Sequence, residues 1–288
     1  MGSARLKYKV IQQLRHKYTV SNLCRILGVS SSGYYKWLKH PESKRTKRDK
    51  YIAKLIKEYQ EKIKFSYGYR RITIWLNKVM RIKINHKSVL RIMNKFSLCS
   101  IIRRSRNITH SKDCIHKYEN KLKRQFNSTR KNEKWSTDIT QFKCKDGILY
   151  LSALKDLYDG SILGYSYAKN SKTPIVISTV SQALKHKRQD NVTILHSDMG
   201  SQYTSHEYHV FLNDNRIEPS MSRPGTPIDN SPIESFFSTL KIEWLSDTSN
   251  MMTNSVAIEI DEYINFYNNE RIQLKSTTAP VVVRNRAA

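Results

Sequence analysis

The chain has 288 residues, 39% of them hydrophobic, and a formal net charge of +27. That is enough apolar content for one sizeable core with one or two small domains beside it, and too much for a disordered chain. The charge is lopsided: residues 1–134 carry 36 Lys and Arg against 7 Asp and Glu, and residues 135–288 carry 15 against 17, so the first half is built to meet a polyanion and the second is not. The positive half sets Tyr67, Tyr69 and Trp75 among helical patterns instead of one long basic amphipathic helix, which favours nucleic acid over an acidic membrane.

No stretch approaches about 18 uninterrupted apolar residues, and MGSARLKYKVIQQLRHKY has no apolar run of signal-peptide length. Cys24, Cys99, Cys114 and Cys144 are isolated, with no CxxC, as in a protein with reduced thiols. A cytoplasmic, nucleoid-associated protein without membrane contact is expected.

In chain order, residues 1–40 read as a helix-turn-helix region. Val10, Ile11 and Leu14 make one stripe and Val20, Leu23, Cys24 and Leu27 a second; Gly28 then breaks the pattern and Ser30 is placed to cap a third helix. In such a motif the third helix enters the major groove, which makes Ser31, Ser32 and Lys36 DNA-facing candidates and leaves Trp37 and Leu38 for the core. Residues 41–50, PESKRTKRDK, read as a basic linker. Residues 51–100 hold three more helical stripes, on Ile52, Leu55, Ile56 and Tyr59, on Ile72, Leu76 and Val79, and on Val89, Leu90, Ile92 and Met93. They make a second helical DNA-binding domain, with Arg70 and Arg71 as candidate phosphate contacts. Residues 101–133 read as an extended basic connector able to lie along DNA, with Arg103 and Arg104 as candidate contacts. His110, Cys114 and His116 fall there too, at a spacing that matches neither half of a common zinc module.

Beyond Trp135 the pattern turns to strands. WSTDITQFKC, the Asp146-Gly147 hairpin signal, ILYLSALKDLY and, after Asp159-Gly160, SILGYSYA predict three antiparallel strands. A helix over 174–186, a short buried strand in VTILHSD and a helix over 206–213 follow. Three acids interrupt this scheme: Asp138 in the first strand, Asp198 at the end of VTILHSD, and Glu234 in PIDNSPIESFFSTLK, with 35 residues between the last two. Each has an ordinary reading as well: an edge-strand Asp, an Asp-x-Gly turn before Gly200, and a capping box in which Ser231 is the N-cap, Pro232 the first helical residue and Glu234 reaches back to the Ser231 amide. Together they suit a pair of hard divalent cations, because Mg²⁺ prefers carboxylate, water and phosphate oxygens, and two such ions about 3.5–4 Å apart promote in-line displacement at phosphorus. Lys241, two helical turns after Glu234, stands on nearly the same helix face and could reach a phosphate there.

Asp138, HSDMGSQYTS, the 35-residue spacing and DNSPIESFFSTLK resemble the core of bacterial insertion-sequence transposases of the OrfB type (the IS-three family), relatives of retroviral integrases. The likeness extends over nearly the whole chain, through LGVSSSGYYKWL, YGYRRI and YINFYNNERIQL; the ending VVVRNRAA departs from the family's usual Tyr or Phe after the last Pro. The resemblance implies a helical DNA-binding region followed by a ribonuclease H-like integrase catalytic core over 134–284, of α+β or α/β class. It implies that Asp138, Asp198 and Glu234 are catalytic and bind two Mg²⁺ ions, with Mn²⁺ as a substitute, for cleavage and strand transfer at the ends of an element. It implies further a homo-multimer on double-stranded DNA, at element ends and target, and a partner or fusion from an upstream reading frame. The alternative from another class is a catalytically inactive DNA-binding protein or self-repressor derived from a transposase, in which residues 1–134 would look the same.

Overall fold

The structure is a computed structural model and describes residues 4–39, 43–101, 118–187, 192–223 and 225–286. It divides into two compact units, residues 1–59 with 91–98 and residues 60–90 with 99–288. Among the described residues no helix is long and apolar enough to cross a membrane.

In the first unit, α1 (Ala4–Leu14), α2 (Val20–Leu27) and α3 (Ser31–Lys39) close on Ile11, Leu23, Cys24 and Tyr34, with Trp37 packed against them. Gly28 ends α2 at φ 62°, a conformation that costs an L side chain and costs glycine little. The Ser30 hydroxyl accepts from the Gly33 amide at 2.9 Å and so caps α3. Ser31, Ser32 and Lys36 are exposed along that helix. The next helix, α4 (Lys44–Lys62), corrects the linker reading for residues 44–50, while residues 41 and 42 lie outside the described residues. Ser43 caps it by accepting from the Thr46 amide at 3.1 Å, and the Lys and Arg that looked like linker are good helix formers. Asp49 of α4 holds Arg91 of α6 (His86–Lys95) through two bonds of 2.8 Å.

The second unit contains α5 (Tyr69–Lys78) and a five-stranded sheet. β1 (Lys134–Cys144), β2 (Gly147–Asp156) and β3 (Ile162–Ala168) are antiparallel, while β4 (Thr193–Ser197) and β5 (Ile217–Met221) run parallel beside β1, giving the order β3-β2-β1-β4-β5. This is a ribonuclease H-like arrangement. Helices α7 (Thr173–Leu184) and α8 (His206–Asp214) cover a core of Trp135, Leu154, Val176, Val180, Leu195, Tyr208 and Leu212. A Cβ at Gly164 would lie 2.2 Å from the Thr179 carbonyl oxygen, so only glycine lets α7 approach β3 this closely. After a short 3-10 turn (Pro227–Asn230) come α9 (Ser231–Glu243), α10 (Thr253–Asn269) and α11 (Pro280–Arg286). Strand β5 is absent from the sequence reading because IEPSM is short and contains Pro219; at a sheet edge the missing N–H of proline is tolerated.

The connector is also corrected in part. Residues 118–133 are folded onto this unit instead of standing free. Tyr118 stacks on His209 and hydrogen-bonds it, the Lys121 amide donates to Ser220 at 2.9 Å, and the Glu119 carbonyl accepts from Met221 at 3.4 Å. In the stretch VVVRNRAA, Arg284 is anchored at 2.8 Å to each of Asp156, Asp159 and Asn132.

Candidate active site

Strand alternation decides which β1 side chains face which layer. Trp135 and Ile139 pack towards α7 and α8, while Ser136, Asp138, Thr140 and Phe142 lie on the opposite face. That face meets α9: Ser136 bonds Asn230, and Lys241 bonds Thr140 and sits over the Phe142 ring. The parallel ladder of β1 and β4 pairs Ser136 with His196. Two residues further along each strand come Asp138 and Asp198, so a single register brings both carboxylates to the place where β4 ends, on strands about 4.8 Å apart. Glu234, in the first turn of α9, is the third acid of the group.

The electrostatics record that gathering. Burial, and next the Asp198 charge, push Asp138 well above the usual carboxylate range; Glu234 adds to the rise, and the Ile139 amide and Lys241 oppose it. Burial raises Asp198 against the bond it accepts from the Gly200 amide. Desolvation of the carboxyl, then the Asp198 charge, raise Glu234. Such a group relieves its repulsion by taking up protons or a cation. Its donors are all carboxylate oxygens, the set preferred by hard divalent cations. Among the described residues no group of three or more His, Cys, Asp or Glu side chains is gathered closely enough to hold a metal ion, so Asp138, Asp198 and Glu234 are near neighbours and not an assembled ligand set. Asp198 and Glu234 keep exposed surface even though the surrounding protein atoms partly desolvate their carboxyl groups, and Asp138 is half-buried, so the group opens towards a large substrate.

The capping-box reading of Glu234 is corrected. Ser231 is already helical, at φ −53°, and the N-cap is Asn230, which makes no side-chain cap bond. The Asn230 side chain is used across the structure instead: it accepts from Ser136 at 2.6 Å and donates to the Thr137 carbonyl at 3.0 Å. These bonds fasten the start of α9 to β1 two residues before Asp138. Lys155 adds a bond of 3.2 Å to the Pro232 carbonyl. Asp229, fully buried, accepts from Asn120, from Arg124 at 2.7 Å and from Arg223 at 3.0 Å. Despite burial, the two guanidinium groups hold its carboxyl far below the usual range. The connector, the loop after β5 and the start of α9 are thus tied to one carboxylate. Neither Asp229 nor Asn230 was singled out from sequence as a positioning residue; their place in the DNSPIES stretch is the one signal that could have found them.

His196 is fully buried between two hydroxyls, with Ser220 at 2.9 Å and Ser222 at 3.1 Å. Burial pushes its pKa down to about 4, so at neutral pH it is an uncharged brace between β4 and β5. Lys241 donates to Thr140 at 2.6 Å, on the β1 face that carries Asp138. Arg71, expected at phosphate, is directed inward: its Nε donates to the Ile272 carbonyl at 2.9 Å and its terminal nitrogen lies 3.6 Å from Glu243. Tyr67 accepts from the Ile272 amide at 2.7 Å, and Arg271 clamps Glu243 with bonds of 2.7 and 2.6 Å. Residues of YGYRRI, STLKIEW and NNERIQL therefore meet in one network. Arg70 donates to Tyr69 at 3.2 Å. Arg103 and Arg104, with His110, Cys114 and His116, lie outside the described residues.

Comparison with known proteins agrees with this architecture. Residues 128–227 and 215–272 match two models of an integrase core domain, and residues 47–106 match a helix-turn-helix-like domain. The chain is 36% identical over 283 residues to the protein InsK of insertion sequence element IS150 from Escherichia coli K12, named as a transposase, covering 96% of this chain and 98% of that one. It is 27% identical over 241 residues, 83% of each chain, to transposase InsF for insertion sequence IS3A of the same organism. Among solved structures, the HTLV-2 integrase catalytic core domain in complex with magnesium aligns with a TM-score of 0.44 and 19% identity, over 54% of this chain and 98% of that one. The chain belongs to the IS3 family of insertion-sequence transposases, polynucleotidyl transferases of DNA transposition built on an integrase core.

Proposed function

We propose that Asp138, Asp198 and Glu234 hold two Mg²⁺ ions and that this site cuts DNA at the ends of an insertion sequence and joins the freed 3′ hydroxyl to target DNA. The observation that carries the reading is the meeting of three charge-stressed carboxylates where β4 ends and α9 begins. Divalent cations bound there would supply activation of the attacking oxygen and neutralisation of charge on the leaving one. The chain's own part is positional. The β1–β4 register sets two of the acids, Asn230 and Asp229 set the third by fixing α9, and Lys241, beside Asp138, contacts a backbone phosphate. Ser31, Ser32 and Lys36 on α3 and Arg70 on α5 contact DNA as well, and the protein works as a homo-multimer on paired ends, with the product of an upstream frame as partner.

The test is cleavage and strand transfer on labelled DNA carrying the element's own ends, with Mg²⁺, with Mn²⁺ and with EDTA. Joining should require the metal and vanish in Glu234→Gln while DNA binding persists. Wild-type protein that binds ends with metal and the upstream-frame partner present, yet never cuts, would leave a DNA-binding remnant as the reading.

A further inference from the structure

The network around Arg71 is unbalanced in charge. Two guanidinium groups, Arg71 and Arg271, share the single carboxylate of Glu243, and Arg271 takes both of its oxygens. One positive charge is left over at a half-buried position. It borders a cleft of about 270 Å³ lined by Ser66, Gly68, Arg71, Ser100, Thr239 and Glu243, among others.

Three further features point the same way. Helix α5 opens on Gly68, which makes no side-chain cap bond, so the first amide groups of a ten-residue helix lack an intrahelical partner, and Gly68 and Arg71 of that end line the cleft at the favourable end of the helix dipole. Ser66, 9% exposed, has a buried hydroxyl without a hydrogen-bond partner; an orphaned buried hydroxyl is costly and calls for a ligand. The loop carrying these groups is held firmly. Lys64 and Phe65 take φ of 51° and 55°, Gln60 donates to the Tyr67 carbonyl at 2.8 Å, and the Ile101 amide donates to the Phe65 carbonyl at 3.2 Å. The two left-handed residues close the C-terminus of α4, with the Phe65 amide donating to the Gln60 carbonyl at 2.7 Å, and so fix where the chain enters the cleft. Glu243 is the one anion in the lining among the described residues, and it is already committed to Arg271.

Helix amides, hydroxyls and a guanidinium with surplus charge make an oxyanion receptor. We propose that the cleft between Gly68, Ser66, Ser100 and Arg71 is a binding site for a phosphate group. On the reading of the previous section its source is a DNA backbone phosphodiester; free phosphate is the other source of the same chemistry. Arg71 then has two tasks, facing Glu243 and Ile272 with part of its guanidinium and a phosphate with the rest.

The experiment uses the full chain, wild type against Ser100→Asp, which sets a fixed carboxylate in the cleft, and Ser66→Ala, which removes the orphaned hydroxyl. Melting temperature is followed against inorganic phosphate at constant ionic strength set with chloride, so that general screening of a basic protein cancels. Wild type should show a saturable rise, Ser66→Ala a rise needing several-fold more phosphate, and Ser100→Asp none. The salt dependence of binding to duplex DNA then assigns the source. A slope smaller by about 0.9 in Ser100→Asp means that one backbone phosphate is lost, whereas an unchanged slope beside a lost phosphate response means free phosphate. An equal phosphate response in wild type and Ser100→Asp, or no response in a folded wild type, overturns the site. Since no step of this test depends on cleavage, its failure is distinct from failure of the metal-site reading.

Discussion

Replacing Glu243 with Gln tests the claim that one buried carboxylate ties three sequence motifs together. Its side chain is 9% exposed and that of Arg271 4%, joined by two bonds of 2.6 and 2.7 Å. Tyr263 donates to the same carboxylate at 3.1 Å, and Arg71 stands 3.6 Å away. Glutamine keeps the volume and one acceptor, but it turns an NH₂ group towards a guanidinium donor and leaves Arg271 and Arg71 without a counter-charge. Breaking a buried pair by removing one partner costs about 3–5 kcal/mol, and at this burial solvent screening does not reduce it. A chain with a sizeable core loses roughly 2–4 °C per kcal/mol, so the melting temperature should fall by about 10 °C. The assay is urea unfolding at pH 7 followed by circular dichroism, with the m-value checked for constancy. The double variant Glu243→Gln/Arg271→Gln, which removes the stranded charge as well, should recover part of the loss. A single-variant cost below about 1 kcal/mol, or a double variant that recovers nothing, would mean the network is not held by charge pairing, since the buried-pair estimate has no room for so small a value.

Three other outcomes follow from the site. Asp138 is raised by burial and by Asp198, so the folded state holds more protons than the unfolded one between the ordinary value of 3.8 and the raised one; metal-free protein loses stability as pH rises through that window. Asp138→Asn should therefore be inactive in strand transfer yet more stable by about 0.5–2 kcal/mol at pH 7 in EDTA, and melting curves from pH 4 to 8 in which the variant is less stable throughout would contradict this. His196 has the opposite sign: with its pKa lowered from 6.5 to about 4, the unfolded chain takes up the proton first. Its share of stability should fade as pH drops from 6.5 towards 4, and His196→Gln should show a shallower acid loss in the same titration. Asn230→Ala removes two bonds to β1 and strands buried polar groups at about 1–3 kcal/mol; strand-transfer rate should fall more than DNA affinity, and equal losses in both would argue against a positioning role for Glu234.

What the sequence by itself determined is whatever a few neighbouring residues encode. Gly28 had to end α2, since only glycine takes φ 62° cheaply, and Ser30 had to cap α3. Alternation in WSTDITQF fixed β1 with Asp138 on one face, and the spacing of Asp198 and Glu234 in their motifs exposed the family. Tertiary structure decided everything that depends on partners remote in the chain. The capping box at Ser231 was locally sound, yet Asn230 displaced it because its side chain is worth more bonded to β1. Pro219 argued against a strand until an edge position removed the need for its N–H. Residues 118–133 looked like a free basic arm because their charge is visible in sequence and the buried Asp229 that anchors Arg124 is not. Arg71 read as a candidate phosphate contact, and its inward partners were invisible for the same reason: a carboxylate far along the chain, at Glu243, and the Ile272 carbonyl hold part of its guanidinium. Local backbone preference is written in contiguous residues, whereas the pairing of buried charge is settled only when the chain has closed.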